Sequence, residues 1–276
     1  MLGSLSVLTL ILCSAMSVNV AASSSIPSVV RQKNTLSASL PTIPILMYHY
    51  IEDRDEKKYP KRANLFIPPV TFEAQLQWLT DHGYQTIDLD EMERIFHGDE
   101  SAPAKAVVLT FDDGFDDNFK YAFPILKQYR FPATFFICPN LVGKKGYLGW
   151  TQIEEMQKDG LDIESHTMNH AYLPDLSRDQ RNFEIQESKR VIEAKLGIQV
   201  DFLAYPIGGF TEEIKAETRQ AGYQAGFTTN RGYNRFNKDV YELSRIRLSD
   251  NDEAGWRLWF KLSGYYNLFR KSKKSS

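Results

Sequence analysis

The sequence predicts an α/β fold built on a parallel sheet, either open or closed into a barrel. Short apolar runs alternate with amphipathic helical patterns over about 200 residues, an arrangement typical of repeated strand–helix units. The sequence of 276 residues contains no internal repeat and no sign of a second domain boundary, and 42% of the residues are hydrophobic. Such a chain can bury a core of ordinary size. We therefore expect a single α/β domain.

The predicted elements follow one another in regular order. One helix is marked by its apolar pattern, because Phe72, Leu76 and Leu79 share a face and Thr71 is a good N-cap. The predicted strands cover Ile45–Tyr50, Thr86–Leu89, Ala106–Phe111, Ala133–Cys138, Leu161–Glu164, Phe202–Tyr205, Gln224–Phe227 and Arg245–Leu248. The predicted helices between them cover Phe72–Asp81, Leu89–Phe96, Asn118–Tyr129, Gln152–Lys158, Arg178–Leu196 and Glu212–Ala221.

The balance of acidic and basic residues excludes nucleic-acid binding. The chain has 33 basic and 35 acidic residues, without the basic excess that a nucleic-acid partner requires. It also has only five histidines, so chemistry based on imidazole has few candidates. His82 and His97 follow predicted helices and are interpreted as helix-end residues. The remaining three histidines are candidates for a functional site.

The first residues resemble an export signal. No charged side chain precedes Arg31, and the apolar stretch 4–18 is too short for a convincing membrane span. Small residues follow, so we interpret 1–22 as a signal peptide and expect an exported protein that is secreted, periplasmic or at the cell surface. An uncleaved N-terminal membrane anchor is the alternative. Residues 23–43 read as a flexible lead-in, and the basic tail Phe269–Lys274 is expected to be solvated.

Two adjacent carboxylates, Asp112 and Asp113, follow the predicted strand Ala106–Phe111. Catalytic groups of α/β proteins gather at the carboxyl ends of strands, and neighbouring carboxylates are costly without a positive partner. A turn followed by a helix cap is the structural alternative. That alternative explains Asp116 and Asp117 better than it explains Asp112 and Asp113.

Three histidines also lie at or just after the ends of predicted strands. His166 and His170 are four residues apart, so both can reach one point, although this spacing alone fits a metal site and a structural pair about equally well. One carboxylate with two imidazoles makes a three-ligand site with open positions, which is typical of a hydrolytic metal. His49 ends the first strand. A histidine in that position is usually a hydrogen-bonded core residue, but the shared edge makes it a catalytic candidate.

With Thr110-Phe111-Asp112-Asp113-Gly114 and Ser165-His166-Thr167-Met168-Asn169-His170 both present, the chain resembles a carbohydrate esterase family 4 polysaccharide deacetylase, the NodB homology domain. The resemblance implies a single distorted (β/α) barrel over residues 44–252, followed by an extension over 253–276. It is closest to the branch that de-N-acetylates poly-β-1,6-N-acetylglucosamine, in which a histidine motif near the start of the chain replaces a late one. Tyr48-His49 occupies that place.

The resemblance also implies roles for the candidate residues. Asp113, His166 and His170 would hold one divalent metal, Zn²⁺ first, with Co²⁺, Ni²⁺ or Fe²⁺ as alternatives. Asp112 would be the general base that takes a proton from the attacking water. His49 would be the general acid that protonates the leaving amine.

Two further roles are implied less directly. Ala204-Tyr205-Pro206-Ile207-Gly208 stands where the family has Arg-Pro-Pro-Tyr-Gly, so the backbone N–H of Ile207 would help to hold the oxyanion. Because Ala204 replaces the usual arginine, a later arginine would orient the base. Arg245 matches best, with Arg247 as the alternative.

The substrate implied by the resemblance is a β-linked N-acetylglucosamine polymer, and poly-β-1,6-N-acetylglucosamine is favoured. Tyr147, Trp150 and Tyr205 are candidates for stacking on sugar rings, although Trp150 could equally pack under the helix that it precedes. Chitin oligosaccharide and peptidoglycan are alternative substrates. Two other functions stay open, namely a non-catalytic glycan-binding module and a hydrolase of another C–N bond such as a cyclic amide.

Overall fold

A computed structural model describes residues 42–53, 63–235, 239–252 and 255–263. The predicted signal peptide, most of the predicted lead-in and the basic tail lie outside the described residues. The strands are β1 (Thr42–Ile43), β2 (Ile45–Tyr48), β3 (Gln85–Thr86), β4 (Ala106–Phe111), β5 (Thr134–Ile137), β6 (Asp162–Ser165), β7 (Phe202–Ala204), β8 (Ala225–Phe227), β9 (Asn234–Arg235) and β10 (Ile246–Arg247). The helices are α1 (Pro69–Asp81), α2 (Leu89–His97), α3 (Phe123–Tyr129), α4 (Trp150–Lys158), α5 (Arg178–Asn182), α6 (Ser188–Leu196), α7 (Glu212–Gln220) and α8 (Trp256–Leu262).

The main sheet is parallel throughout and curls into a distorted barrel, as predicted. Its strands lie in the order β10-β2-β4-β5-β6-β7-β8, and β3 pairs with the start of β4. The segment before β10 joins the two edges of the sheet, because Leu243 forms a parallel bridge to Phe227 and Ile246 pairs with Leu46. The carboxyl ends of β2, β4, β6 and β7 therefore meet at one rim.

Alternation along the strands divides the core between the two faces of the curled sheet. In β4, Val107, Leu109 and Phe111 pack in a large cluster with α1 and α4, whereas Val108 packs in a second cluster that joins β2 to β8. Since the second cluster spans both edges of the sheet, it fills the concave side. The same alternation directs Thr110 and Asp112 to the concave side at the rim.

Local sequence signals explain most helix ends. The Asp88 side chain accepts a hydrogen bond from the Glu91 amide at 2.7 Å, and Gly98 ends the same helix, α2, in the left-handed conformation. His82 is the C-cap residue of α1 and His97 the last residue of α2, so both lie at helix ends as interpreted. None of the described helices combines the length and apolar composition that crossing a bilayer requires.

Several predicted bounds were wrong. Helix α1 begins at Pro69 because proline is favoured in a first turn, so Thr71 lies inside the helix and is not its N-cap. Leu89 begins a helix rather than ending a strand. Thr42 and Ile43, placed in the flexible lead-in, pair with Asn234 and Arg235 in a separate antiparallel ladder. The predicted helix Arg178–Leu196 contains a π-helical turn, Phe183–Glu187, and α8 was not predicted.

Candidate active site

The rim of the barrel contains a cavity of about 380 Å³ that brings the separate candidate residues together. They arrive from the ends of four different strands, since His49 follows β2, Asp112 and Asp113 follow β4, His166 follows β6 and Ile207 follows β7. The residues that line the cavity are His49, Tyr50, Asn64, Leu65, Asp112, Asp113, His166, His170, Ile207, Thr229 and Arg247.

Asp113, His166 and His170 form a compact group of metal-ligand atoms, all within 4.8 Å of one another. The Nε2 atoms of His166 and His170 lie 3.2 and 3.1 Å from Asp113 Oδ1. In the described part of the chain, this is the one group of three or more such residues with that geometry. It offers the mixed nitrogen and oxygen donors that suit zinc and similar divalent ions.

The hydrogen bond of His166 directs the lone pair of its other ring nitrogen toward Asp113, so a cation fits between the two side chains. Its Nδ1 lies 2.7 Å from the Ala204 carbonyl oxygen, which can only accept, so Nδ1 carries the proton. In the neutral ring, the lone pair of Nε2 then faces Asp113 Oδ1. Among the described residues, Asp113 Oδ1 is buried without a suitably oriented hydrogen-bond donor. Two acceptors that face each other repel unless a positive charge lies between them, so these residues fit a bound divalent metal.

The pKa values of Asp113 and His170 are shifted because the carboxylate and the imidazoles lie close together. Burial alone would raise the pKa of Asp113, but the neighbouring His166 and His170 outweigh it and hold this pKa well below its usual value. Burial would lower the pKa of His170, but the neighbouring Asp113 carboxylate raises it above its usual value. Asp113 is therefore ionised at neutral pH and available to a cation.

The backbone of the site is strained. Five non-glycine residues in the described part of the chain have positive φ, and four of them lie in the site: Asp113 (74°), Thr167 (64°), His170 (59°) and Ile207 (59°). Thr167 and Ile207 are β-branched, for which this conformation is especially unfavourable. Each such residue costs on the order of 1–3 kcal/mol, so the surrounding contacts must hold it in place.

Glu184 supplies those contacts for the loop between the two histidines. Its side chain is buried, and its two carboxylate oxygens accept from the backbone N–H and the side-chain amide of Asn169 at 2.8 and 2.7 Å. Its backbone carbonyl accepts from the Met168 N–H at 3.1 Å. Glu184 lies in the π-helical turn Phe183–Glu187, and such turns are frequent at functional sites. The carboxylate therefore fixes the loop that carries His166 and His170.

Asp112 is held by Arg245 in a buried bidentate ion pair. The guanidinium Nη1 and Nη2 atoms each lie 2.6 Å from one carboxylate oxygen, and both side chains are almost fully buried. The guanidinium also donates to Thr110 Oγ1 and to the Thr228 carbonyl. Burial alone would raise the pKa of Asp112, but the charge of Arg245 outweighs it and keeps this pKa below its usual value.

His49 lies on the other side of Asp112, with 3.9 Å between its Nε2 and Asp112 Oδ2. Asn118 holds the backbone of this residue, because its side-chain amide donates to the His49 carbonyl at 2.8 Å. Burial lowers the pKa of His49, although the nearby Asp113 and Asp112 partly offset it. The imidazole is therefore neutral at neutral pH in the resting site.

The turn after β7 needs a glycine beside Ile207. A Cβ at Gly208 would lie 2.1 Å from Thr229 Oγ1, and Thr229 Oγ1 itself donates to the Ile207 carbonyl at 3.1 Å. Because the chain approaches so closely, this turn presents Ile207 at the cavity with a 65% exposed side chain. Ala204, at the place of the family's arginine, contributes its carbonyl to His166 rather than a side chain.

The three aromatic residues expected to contact sugar lie in different environments. The prediction for Tyr205 was wrong, because its ring is fully buried and its hydroxyl donates to the Tyr241 carbonyl at 3.0 Å. Trp150 begins α4 and packs against the core, as in the alternative interpretation. Tyr147 is partly buried and packs against Phe115 at 5.3 Å between ring centroids.

Some residues of the site were not expected from the sequence. Tyr50, Asn64, Leu65 and Thr229 line the cavity from segments without a recognisable motif. Glu184 was hidden in a predicted continuous helix. Its helical neighbours Gln180, Arg181, Glu187 and Ser188 are polar, so no pattern in the sequence distinguishes it from the other glutamates of that helix.

Comparisons with known proteins agree with this geometry. The sequence model of the polysaccharide deacetylase family matches residues 99–226. YxkH of Bacillus subtilis, classed as a polysaccharide deacetylase, is 36% identical over 207 residues, covering 75% of this chain and 71% of its own. A poly-β-1,6-N-acetyl-D-glucosamine N-deacetylase of Staphylococcus epidermidis is 28% identical over 68% of this chain and 70% of its own. The solved structure of the Streptococcus pyogenes deacetylase PplD in complex with acetate matches with a TM-score of 0.75 and 30% identity, over 84% of this chain and all of that one.

We predict that Glu184→Gln weakens zinc binding. The substituted amide cannot accept from both donors of Asn169, so the loop between the histidines is held less firmly, and we expect the affinity to fall roughly 10–100-fold. Competition with a chromogenic chelator measures this affinity, and the rise in Tm on adding zinc gives a second readout. Glu187→Gln, in the same turn, is the matched control. Equal zinc affinities for Glu184→Gln and the unsubstituted protein would show that Glu184 does not support the site.

Proposed function

This chain belongs to the polysaccharide deacetylase family, and we propose that it removes N-acetyl groups from poly-β-1,6-N-acetylglucosamine with one bound divalent cation. The proposal rests on one arrangement at the rim of the barrel. The candidate metal ligands Asp113, His166 and His170 lie beside the Asp112–Arg245 ion pair and His49. The similarity to a poly-β-1,6-N-acetyl-D-glucosamine N-deacetylase supports the choice of polymer. Export of the protein stays a proposal that rests on the apolar stretch 4–18.

The cation would be held by Asp113, His166 and His170, and zinc suits this donor set best. When bound, a cation in this position polarises the amide carbonyl and makes water more acidic. The hydrogen bond of His166 to the Ala204 carbonyl keeps Nε2 directed at the ligand position. The two hydrogen bonds that Glu184 accepts from Asn169 hold the loop that carries His170 in place.

The chain's own residues would move the protons. Asp112 takes a proton from the water that attacks the acetyl carbonyl carbon, and Arg245 keeps its carboxylate ionised and correctly oriented until then. The Ile207 N–H donates to the carbonyl oxygen as negative charge develops on it. His49 then gives a proton to the amide nitrogen as the C–N bond breaks, releasing acetate and a free amine.

The order of these proton transfers follows from the charge state of His49. Burial lowers its pKa, so the ring lacks the extra proton in the resting site. Asp112 Oδ2, only 3.9 Å from His49 Nε2, is the nearest carrier of the proton taken from water. The base and the acid therefore act in sequence on one proton. Each of them contributes perhaps 10²–10⁴-fold to the rate.

We predict that acetate release is fastest on poly-β-1,6-N-acetylglucosamine. Zinc-loaded protein would be assayed on this polymer, on chitin oligosaccharides and on peptidoglycan, each with and without a chelator. We expect the chelator to abolish release, because it removes the cation that Asp113, His166 and His170 would hold and that polarises the amide carbonyl. A higher kcat/KM on chitin or peptidoglycan would contradict the proposed polymer, and release that persists after complete metal removal would contradict the proposed role of the cation.

Substitution of Asp112 and substitution of Asp113 should impair deacetylation for different reasons. We predict that Asp112→Asn keeps one equivalent of zinc but loses kcat by about 10²–10⁴-fold, because the base is missing. Asp113→Asn should lose zinc itself. Elemental analysis and acetate release together separate these outcomes, with circular dichroism to check folding. Full activity of the Asp112→Asn protein would show that Asp112 is not the base. Full zinc occupancy of the Asp113→Asn protein would show that Asp113 is not a ligand.

A further inference from the structure

Asp117 has a buried carboxyl group that the mechanism above does not use. The sequence favours a helix cap at this position, but the side chain makes no capping hydrogen bond to the helical segment Asn118–Ala122 that follows it. Its Oδ1 accepts instead from the backbone N–H of Ile51 at 2.6 Å and from the side-chain amide of Asn118 at 2.8 Å. Asp117 is therefore connected to a distant part of the chain, near the end of β2.

These hydrogen bonds join Asp117 to the segment that carries His49. The side-chain nitrogen of Asn118 donates one hydrogen to Asp117 Oδ1 and one to the His49 carbonyl, both at 2.8 Å. A reversed amide would place the Asn118 oxygen against two acceptors, so the orientation of this amide is fixed. Asp117 and Asn118 together hold backbone groups on both sides of Tyr50, namely the His49 carbonyl and the Ile51 N–H.

The His49 ring depends on this backbone for its position. Over the ranges that the structure describes, no group forms a hydrogen bond with the ring, and Asp112 Oδ2 lies 3.9 Å from its Nε2. A general acid must come within hydrogen-bond reach of the leaving amine, and a misplacement of about 1 Å can lower a rate roughly 100-fold. Since no side-chain partner orients the imidazole, its reach is set by the main chain that carries it.

We propose that Asp117 is a positioning residue for His49, acting through the Asn118 amide and the Ile51 N–H. The proposal rests on the role of His49 as general acid in the proposed function. Asp112, the proposed base, lies five positions before Asp117 in the same segment of chain. That segment would therefore set the places of both the base and the acid, although Asp117 itself touches neither the substrate nor the cation.

The test compares two substrates that differ in their leaving group. An amine needs a proton as it leaves, whereas the phenolate of 4-nitrophenyl acetate leaves without one, so only hydrolysis of the amide depends on His49. We expect Asp117→Ala to lower kcat on the N-acetylated polymer about 10–100-fold, while KM, bound zinc and the rate on 4-nitrophenyl acetate change less than about twofold. A role limited to folding would instead lower the rates on both substrates together.

Two further variants test the hydrogen bonds themselves. Asp117→Asn keeps Oδ1 as an acceptor for both of its donors, so it should retain nearly the full kcat. Asp116→Ala, which removes the neighbouring exposed carboxylate, is the matched control and should be unchanged on both substrates. Asn118→Ala breaks the same connection at its other end, should show the same dependence on the leaving group, and tests the proposal even if Asp117→Ala does not fold.

A double substitution shows whether Asp117 acts through His49. Asp117→Ala/His49→Ala should be no slower on the polymer than His49→Ala alone, because residues that act through one group are not additive. Additive losses, equal losses on both substrates, or full activity of Asp117→Ala beside an impaired His49→Ala would overturn the proposal. Full activity of His49→Ala would instead show that the general acid of the proposed function is wrong.

Discussion

A buried carboxylate, Asp112, and a half-buried one, Asp113, lie side by side at the end of one strand, and different partners compensate them. Asp112 is neutralised by the buried guanidinium of Arg245. Asp113 faces two imidazoles, whose arrangement fits a cation. Since each carboxylate has its own partners, the two can hold different roles although they are neighbours in sequence. One can act as a base while the other acts as a ligand.

This separation depends on strained backbone, and the barrel supports that strain. Asp113 has a φ of 74°, which turns its side chain away from that of Asp112 and toward the histidines. Thr167 and His170 have positive φ as well, and the buried Glu184 carboxylate secures the loop between them. The contacts that maintain this geometry come from β7, the π-helical turn and the segment before β10. The site is therefore a property of the closed sheet rather than of two local motifs.

The sequence predicted the elements and the main site residues because both depend on local patterns. Alternation of apolar residues located most strands, and short motifs marked Asp112, Asp113, His166 and His170. Features that depend on tertiary packing were missed or misjudged. Tyr205 precedes the conspicuous Pro206, yet neighbouring strands bury it completely. Glu184 looks like one of many helical glutamates, and only the fold brings it to Asn169. Helix α8 contains seven residues, too few for a clear periodicity.

The central claim is that one cation, held by three side chains, is required for deacetylation. The most direct measurement is to add zinc stepwise to metal-free protein while recording acetate release from poly-β-1,6-N-acetylglucosamine. The account predicts that activity rises in proportion to zinc and reaches a plateau at one equivalent per chain. Full activity before any zinc is added, or a linear rise that continues to two equivalents, would contradict a single-cation site formed by Asp113, His166 and His170.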